Sequence, residues 1–337
     1  MRDTLSFDDV LLVPKYSDIK SRSEVSTANH LDEDFNFALP IISSPMDTVT
    51  EHKMATTMAA AGGFGIVHRY NTIPEQADVL SKVDGTRAAA VGMTNDYLER
   101  TMHLYDNAEL DIVCVDVAHG HHAMMERCLK TLKDKFGSDL HVMAGNVASL
   151  DAFNALASWG ADSVRVGIGG GSICSTRLVS GHGVPTFQSV LDCAQTEYDT
   201  KIIADGGIKT SGDIVKAIAA GADFVMVGSL LAGTSDTPGE VFKNSEGKSY
   251  KVYRGMASSA AQNAWRGKSS SPEGVSTTVP YKGRTSDILQ DLYGGIRSGF
   301  SYSGSRSFRE FQNNSEFIKQ SNAGQAESYT HILTRNK

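Results

Sequence analysis

Eight short apolar runs, each followed by a stretch of helical character, constrain the fold of this chain more than any other feature. They fall at 39–43, 63–67, 88–92, 111–115, 140–144, 163–167, 201–204 and 223–227. Most are continuously apolar rather than alternating, and a strand apolar on both faces belongs in a parallel sheet covered on both sides. The clearest repeat is the last. Lys201-Ile202-Ile203-Ala204 leads through a segment at 211–221 to Asp223-Phe224-Val225-Met226-Val227. The middle segment has apolar residues at helical spacing and ends on Gly221, so strand, helix and strand make a βαβ unit. Eight such units predict a closed (β/α)8 TIM barrel rather than an open doubly wound sheet. The 337 residues suit a single domain over 1–337. The run at 88–92, short and rich in alanine, is its weakest member.

Three glycine signatures close the last three runs. Gly169-Gly170-Gly171-Ser172-Ile173-Cys174-Ser175-Thr176-Arg177 follows the sixth, Asp205-Gly206-Gly207 the seventh and Gly228-Ser229 the eighth. Glycines after a strand let main-chain N–H groups approach a phosphate closely, and late loops of a β/α barrel tend to build phosphate sites. A thiol beside such a cradle can attack a phosphate-bearing substrate held there. Alone, the first stretch reads as a glycine-rich turn with an inert cysteine; the two further signatures favour the cradle.

Composition narrows the class. Hydrophobic residues make up 40% and charged residues 21%, as in ordinary soluble enzymes. The net charge of −7 gives no electrostatic argument for nucleic acid or membrane as partner. Cys114, Cys128, Cys174 and Cys193 contain no C-x-x-C pair, which argues against a zinc site or disulfide framework and fits a reducing compartment. The first residues are acidic where a signal peptide needs an apolar core, and no apolar run reaches membrane-spanning length. A cytoplasmic location is expected.

A segment at about 237–283 breaks the repeat. Asn244-Ser245-Glu246-Gly247-Lys248 reads as a hairpin turn between 240–242 and 250–253, and Ser269-Ser270-Ser271-Pro272-Glu273-Gly274 is polar and rich in breakers. With no apolar periodicity, the segment is read as a long irregular lid, mobile without ligand and closing over the glycine loops to exclude water. A disordered surface loop is the competing reading. A mixed tail follows at about 315–337, containing Glu327-Ser328-Tyr329-Thr330-His331.

These motifs, in this order, resemble the family of IMP dehydrogenases and GMP reductases. The likeness runs from Leu5-Ser6-Phe7-Asp8-Asp9-Val10-Leu11-Leu12-Val13-Pro14, through Ser44-Pro45-Met46-Asp47-Thr48-Val49-Thr50-Glu51 and Gly145-Asn146-Val147, to the three glycine loops and Tyr253-Arg254-Gly255-Met256. It implies a tetrameric barrel that binds a purine mononucleotide, GMP or IMP, and a nicotinamide cofactor, NADPH or NAD. Val83-Asp84-Gly85-Thr86-Arg87 leads straight into the next run, so the two-module regulatory insertion of many such dehydrogenases is absent. By resemblance, Cys174 is the nucleophile that attacks purine C2, and Thr176 and Glu273 transfer the proton. Asp205, Gly207, Gly228, Ser229, Gly171 and Ser172 hold ribose and phosphate. Ser44, Met46, Tyr253, Gly255 and Met256 line the nucleotide pocket, while Asp116, Ala118, Asn146 and Arg165 face the cofactor or the reacting base. Glu327 is expected to reach the Cys174 loop of a neighbouring subunit and, with Gly169, Gly171 and Cys174, to help bind potassium. Without the resemblance, Glu273 would read as a solvated lid residue.

The two branches of the family differ at the lid. The dehydrogenase uses an Arg-Tyr pair there to activate water, and this chain has no such dipeptide in Ala264-Trp265-Arg266-Gly267-Lys268-Ser269-Ser270-Ser271-Pro272-Glu273-Gly274. Asp116-Val117-Ala118 is also similar to the reductase. Segments 44–51 and 323–328 are similar to the dehydrogenase, and Arg266 could stand in for the missing arginine. The expectation is GMP reductase, with IMP dehydrogenase as the alternative. A non-catalytic nucleotide-binding regulator and a flavin-linked barrel oxidoreductase are the readings from other classes. The thiol argues against the first, and a colourless protein would exclude the second.

Overall fold

The structure, a computed structural model, describes residues 1–94 and 96–330. Eight parallel strands close into a barrel: β1 (Ile41–Ser43), β2 (Phe64–Val67), β3 (Ala88–Val91), β4 (Ile112–Asp116), β5 (His141–Val147), β6 (Ser163–Val166), β7 (Lys201–Asp205) and β8 (Phe224–Val227). Each pairs with its sequence neighbour, and β8 returns to β1. Every expected strand lies within a residue or two of its apolar run, except that β5 extends to Val147. Even the alanine-rich β3 is buried throughout.

Helices α1 (His52–Ala60), α2 (Ile73–Ser81), α3 (Tyr97–Ala108), α4 (Ala123–Phe136) and α5 (Leu150–Ser158) follow the first five strands. The short α6 (Thr176–Ser180) and then α7 (Thr186–Cys193) follow β6, and α8 (Ser211–Ala219) follows β7. The sequence reason is local. Thr210 caps α8 by accepting from Asp213 N–H, and the Asp213 carboxylate returns to the Thr210 N–H. These reciprocal bonds satisfy donors that the helix cannot use itself. The α2 start repeats the device with Thr72 and Glu75.

One apolar cluster fills the space between strands and helices, and a second fills the barrel interior with Ile42, Phe64, Ile112, Met143, Ile203 and Phe224. A small hairpin, Asn29–His30 with Asn36–Phe37, caps the end of the barrel where the strands begin. It seats Phe37 4.6 Å from the Phe64 ring and 5.8 Å from that of Phe224. One mouth is therefore plugged, and the mouth at the strand C-termini is left for chemistry.

The lid corrects one expectation. Far from irregular, it holds a three-stranded antiparallel sheet of β9 (Phe242–Lys243), β10 (Ser249–Arg254) and β11 (Ser276–Pro280), and the helix α9 (Ser259–Arg266). The expected hairpin is β9–β10. The polar β11 carries no alternation because most of its residues face outward. The chain then forms the long α10 (Thr285–Tyr302). In the tail, Phe317–Lys319 pairs antiparallel with Val10–Leu12 near the N-terminus; residues 331–337 of the expected tail lie outside the described residues. No described helix is long and apolar enough to cross a membrane.

Candidate active site

A cleft of about 420 Å³ opens at the strand C-termini. All but one of the residues expected to form the site line it: Cys174, Thr176, Glu273, Ser44, Met46, Gly169, Gly171, Ser172, Asp205, Gly207, Gly228, Ser229, Tyr253, Gly255, Met256, Asp116, Ala118, Asn146 and Arg165. The exception is Glu327, which ends a short exposed helix, Asn322–Glu327, and does not line the cleft.

Cys174 sits on the loop after β6 and is exposed, whereas Cys114, Cys128 and Cys193 are buried. Its Sγ donates to Thr176 Oγ1 at 3.2 Å, and Thr176 donates to Glu273 Oε2 at 2.7 Å. Thiol, hydroxyl and carboxylate thus form a continuous proton path from loop to lid. The path is fixed by main-chain bonds between the two segments: Ser175 N–H to Glu273 O at 3.0 Å, and Val275 N–H to Ile173 O at 3.0 Å. The lid is closed on the cysteine loop.

The glycines permit close approach. A Cβ on Gly167 would lie 1.9 Å from the Asp205 carbonyl oxygen, so the sixth and seventh strand ends can touch only if Gly167 has no side chain. A Cβ on Gly228 would stand 2.9 Å from Ser44 Oγ and 3.1 Å from Met46 Sδ, at the surface expected to face a nucleotide. Tyr253, 5% exposed, places its hydroxyl 3.4 Å from Ser172 Oγ. Burial raises its pKa, with the Ser172 contact opposing, so it serves as a neutral hydrogen-bonding group.

A charge network crosses the barrel top. Arg165 pairs with Asp116 and, at 2.8 Å, with Asp205, whose Oδ2 also accepts from Asn146 Nδ2 at 2.8 Å. Burial opposes the Arg165 charge, but Asp205 and Asp116 outweigh it and hold its pKa well above the usual value. Removing one partner of a buried pair typically costs ~3–5 kcal/mol, so the network braces β4, β5, β6 and β7 against one another. Asp205, expected with the ribose group, and Arg165 and Asn146, expected with the cofactor group, are therefore one unit.

Four buried polar atoms of the cleft walls have no hydrogen-bond partner: Ser44 Oγ, Arg69 Nε, Asn146 Oδ1 and Arg165 Nε, with Arg69 Nε held only in an ion pair with Asp116 at 3.9 Å. Buried polar groups are normally hydrogen-bonded, and a nucleotide with a nicotinamide cofactor fits that donor and acceptor set. Sequence reasoning missed Arg69, Tyr70, Gln262 and Ser270, which also line the cleft. The signal for Arg69 and Tyr70 was position, just beyond the end of β2. No group of three or more His, Cys, Asp or Glu able to hold a metal occurs among the described residues. The expected cation site would rest on the main-chain carbonyls of Gly169, Gly171 and Cys174; that of Gly171 already accepts from Cys174 N–H at 3.1 Å.

A β/α barrel with an exposed thiol hydrogen-bonded through a hydroxyl to a carboxylate, beside late glycine loops, has the make-up of an enzyme for a phosphate-bearing substrate. Residues 4–331 match the model of the IMP dehydrogenase / GMP reductase domain. An inosine-5′-monophosphate dehydrogenase of Nitrosopumilus maritimus is 35% identical over 471 aligned residues, covering 98% of each chain. A GMP reductase of Leishmania major is 32% identical over 480, covering 98% of this chain and 97% of its own. Both alignments exceed the 337 residues of this chain, so those relatives carry residues it lacks. The crystal structure of a GMP reductase variant from Trypanosoma brucei, in complex with guanosine 5′-monophosphate, superposes with a TM-score of 0.92 at 31% identity, covering 98% of each chain. The chain belongs to the IMP dehydrogenase / GMP reductase family, a family of oxidoreductases of purine metabolism that use nicotinamide cofactors.

Proposed function

We propose that this protein reductively deaminates GMP to IMP and ammonia with NADPH, through a thioether between Cys174 and purine C2. The observation that carries this reading is the unbroken path from Cys174 Sγ through Thr176 to Glu273. Sulfur adds to C2 and the C2–N bond breaks. The Cys174 proton, relayed by Thr176 and Glu273, leaves with the amine as ammonia. A reduced nicotinamide bound there would supply the hydride that replaces sulfur at C2, and a proton from solvent restores the thiol. Gly171, Ser172, Gly207, Gly228 and Ser229 hold the phosphate with N–H and hydroxyl groups, and Asp205 takes the ribose hydroxyls. Asp116, Ala118, Asn146 and Arg165, with Arg69, would hold the cofactor side of the cleft. The closed lid keeps water from the adduct.

One observation favours the dehydrogenase as a second reading: Arg266, at the end of α9, lines the same cleft as Cys174. An arginine there could activate water against the thioether and so oxidise IMP to XMP with NAD. Assays of GMP with NADPH and of IMP with NAD, side by side on one preparation, separate the two. IMP and ammonia from the first with negligible XMP from the second is the expected result. XMP formation at an ordinary enzyme rate would reverse the assignment, and loss of that activity in Arg266→Ala would name the base.

A further inference from the structure

Two lysines of the lid hold the loop behind the phosphate end of the cleft. After β8 the chain passes Gly228 and Ser229 and turns repeatedly. Lys282, just beyond β11, donates its Nζ to the Ser229 carbonyl at 2.7 Å and to that of Leu230 at 3.1 Å. Its own main-chain N–H reaches Gly233 O at 2.8 Å. Lys251 in β10, 2% exposed, donates its Nζ to Thr237 O at 2.5 Å and to Thr234 O at 3.4 Å. Desolvation draws both lysine pKa values down, and these ammonium groups are directed at main-chain carbonyls. Gly233, at φ +84°, leaves 2.5 Å between an added Cβ and Pro280 O, so lid strand and loop meet backbone to backbone.

The consequence follows from peptide planarity. The Ser229 carbonyl and the Leu230 N–H belong to one rigid plane, so an ammonium that fixes the first also aims the second. Hydrogen bonds from an ionised donor are about twice as strong as neutral ones. Lys251 and Tyr253 share the inward face of β10, so anchoring the one sets the other against Ser172.

We propose that Lys282, assisted by Lys251, is a positioning residue that couples the lid to the phosphate subsite: it orients the Ser229–Leu230 peptide toward a phosphate monoester and ties that loop to the base of the lid. The proposal rests on the nucleotide reading above. Calorimetric titration of IMP and of inosine into the full-length protein, K282M and K282R tests it. K282M should weaken IMP about tenfold, the loss of roughly one hydrogen bond to a charged group, while inosine binding is unchanged; K282R should recover most of the IMP affinity. Equal losses for both ligands, or unchanged IMP affinity, overturn the proposal alone. A wild-type protein that binds neither IMP nor GMP overturns the nucleotide reading and this one with it. Should K282M not fold, the unmodified protein still decides. Inorganic phosphate should then slow amide exchange at 229–237 and at 279–283 together, and protection confined to 229–237 would remove the coupling.

Discussion

Cys174 differs from the other three thiols by its surroundings. Burial pushes Cys114, Cys128 and Cys193 up to about 12, so at neutral pH they stay protonated and unreactive. Cys174 is exposed and bonded to the Thr176–Glu273 path. Cys174→Ala should abolish turnover while leaving GMP affinity, measured by titration, nearly intact; turnover near the wild-type rate would remove the covalent mechanism. Glu273→Gln should slow deamination by about 10²–10⁴-fold, the usual worth of general acid–base assistance, with little change in nucleotide affinity. A second constellation looks catalytic and is not. Asp32 Oδ2 lies 2.5 Å from His141 Nδ1, and His141 Nε2 lies 2.9 Å from Ser163 Oγ, in the order of a serine triad. Ser163 is fully buried at the plugged end of the barrel, where no substrate can reach it. Burial works against the Asp32 charge, but the hydrogen bond and charge of His141 outweigh it and hold the carboxyl below its usual pKa. A depressed carboxylate stabilises the fold above its unfolded pKa, ~3.9, and that contribution is lost as pH falls through the folded value. Asp32→Asn should therefore melt earlier than wild type at neutral pH with turnover unaltered. The gap should close as pH drops below ~3.9, and a gap that persists in acid melts would assign the stabilisation elsewhere.

The lid is the element on which sequence and structure part. Its helix α9 carries signals that apolar periodicity does not show: Ser258 caps it by accepting from Ala261 N–H, and Gly267 ends it in the left-handed region. With about two turns of chain, a polar outer face and few apolar positions, it left too short a pattern for periodicity to register. The barrel strands were legible because most are apolar on both faces, a property written in consecutive residues. The lid's attachment was not, since it depends on contacts between distant segments. Trp265 of α9 stacks on Tyr70 beyond β2, ring centroids 5.9 Å apart and planes 13° from parallel, and Tyr70 Oη donates to Met256 O at 2.8 Å. Trp159 and Trp265 are the two tryptophans of the chain, so Trp159→Phe leaves Trp265 as a reporter of the lid. In that background, IMP with NADP should change Trp265 emission, and amide exchange at 255–283 should slow on binding. Tyr70→Ala should speed that exchange in the free protein by up to about tenfold, since such an aromatic pair contributes ~0.5–1.5 kcal/mol. Full protection without ligand, unchanged by Tyr70→Ala, would mean that the lid does not open.

At the scale of the whole molecule, the site was legible where it is built from loops adjacent to a strand end and opaque where barrel closure brings strands together. The glycine loops and Cys174 announce themselves in consecutive residues, but the sharing of Asp205 by Arg165 and Asn146 exists only because three strands converge. The same limit applies to Glu327, whose expected role lies across a subunit boundary. In this chain Glu327 lies away from the cleft, so any role at the Cys174 loop requires a second copy. The surface is consistent with one: Leu178 and Val179, four and five residues past Cys174, are 90% and 56% exposed, and Phe242 and Val252 on the lid sheet are 41% and 43% exposed. Exposed apolar side chains on the helix after the Cys174 loop and on the lid sheet suit burial against a neighbour. We therefore expect a homotetramer in light scattering at assay concentration. Potassium should raise its turnover if carbonyls of Gly169, Gly171 and Cys174 accept a cation completed by a neighbour's carboxylate. Glu327→Gln should blunt the response to potassium while leaving the tetramer intact, which separates a ligand role from an assembly role. An active monomer whose rate ignores potassium would place the complete catalytic apparatus in one chain and leave Glu327 as a surface residue.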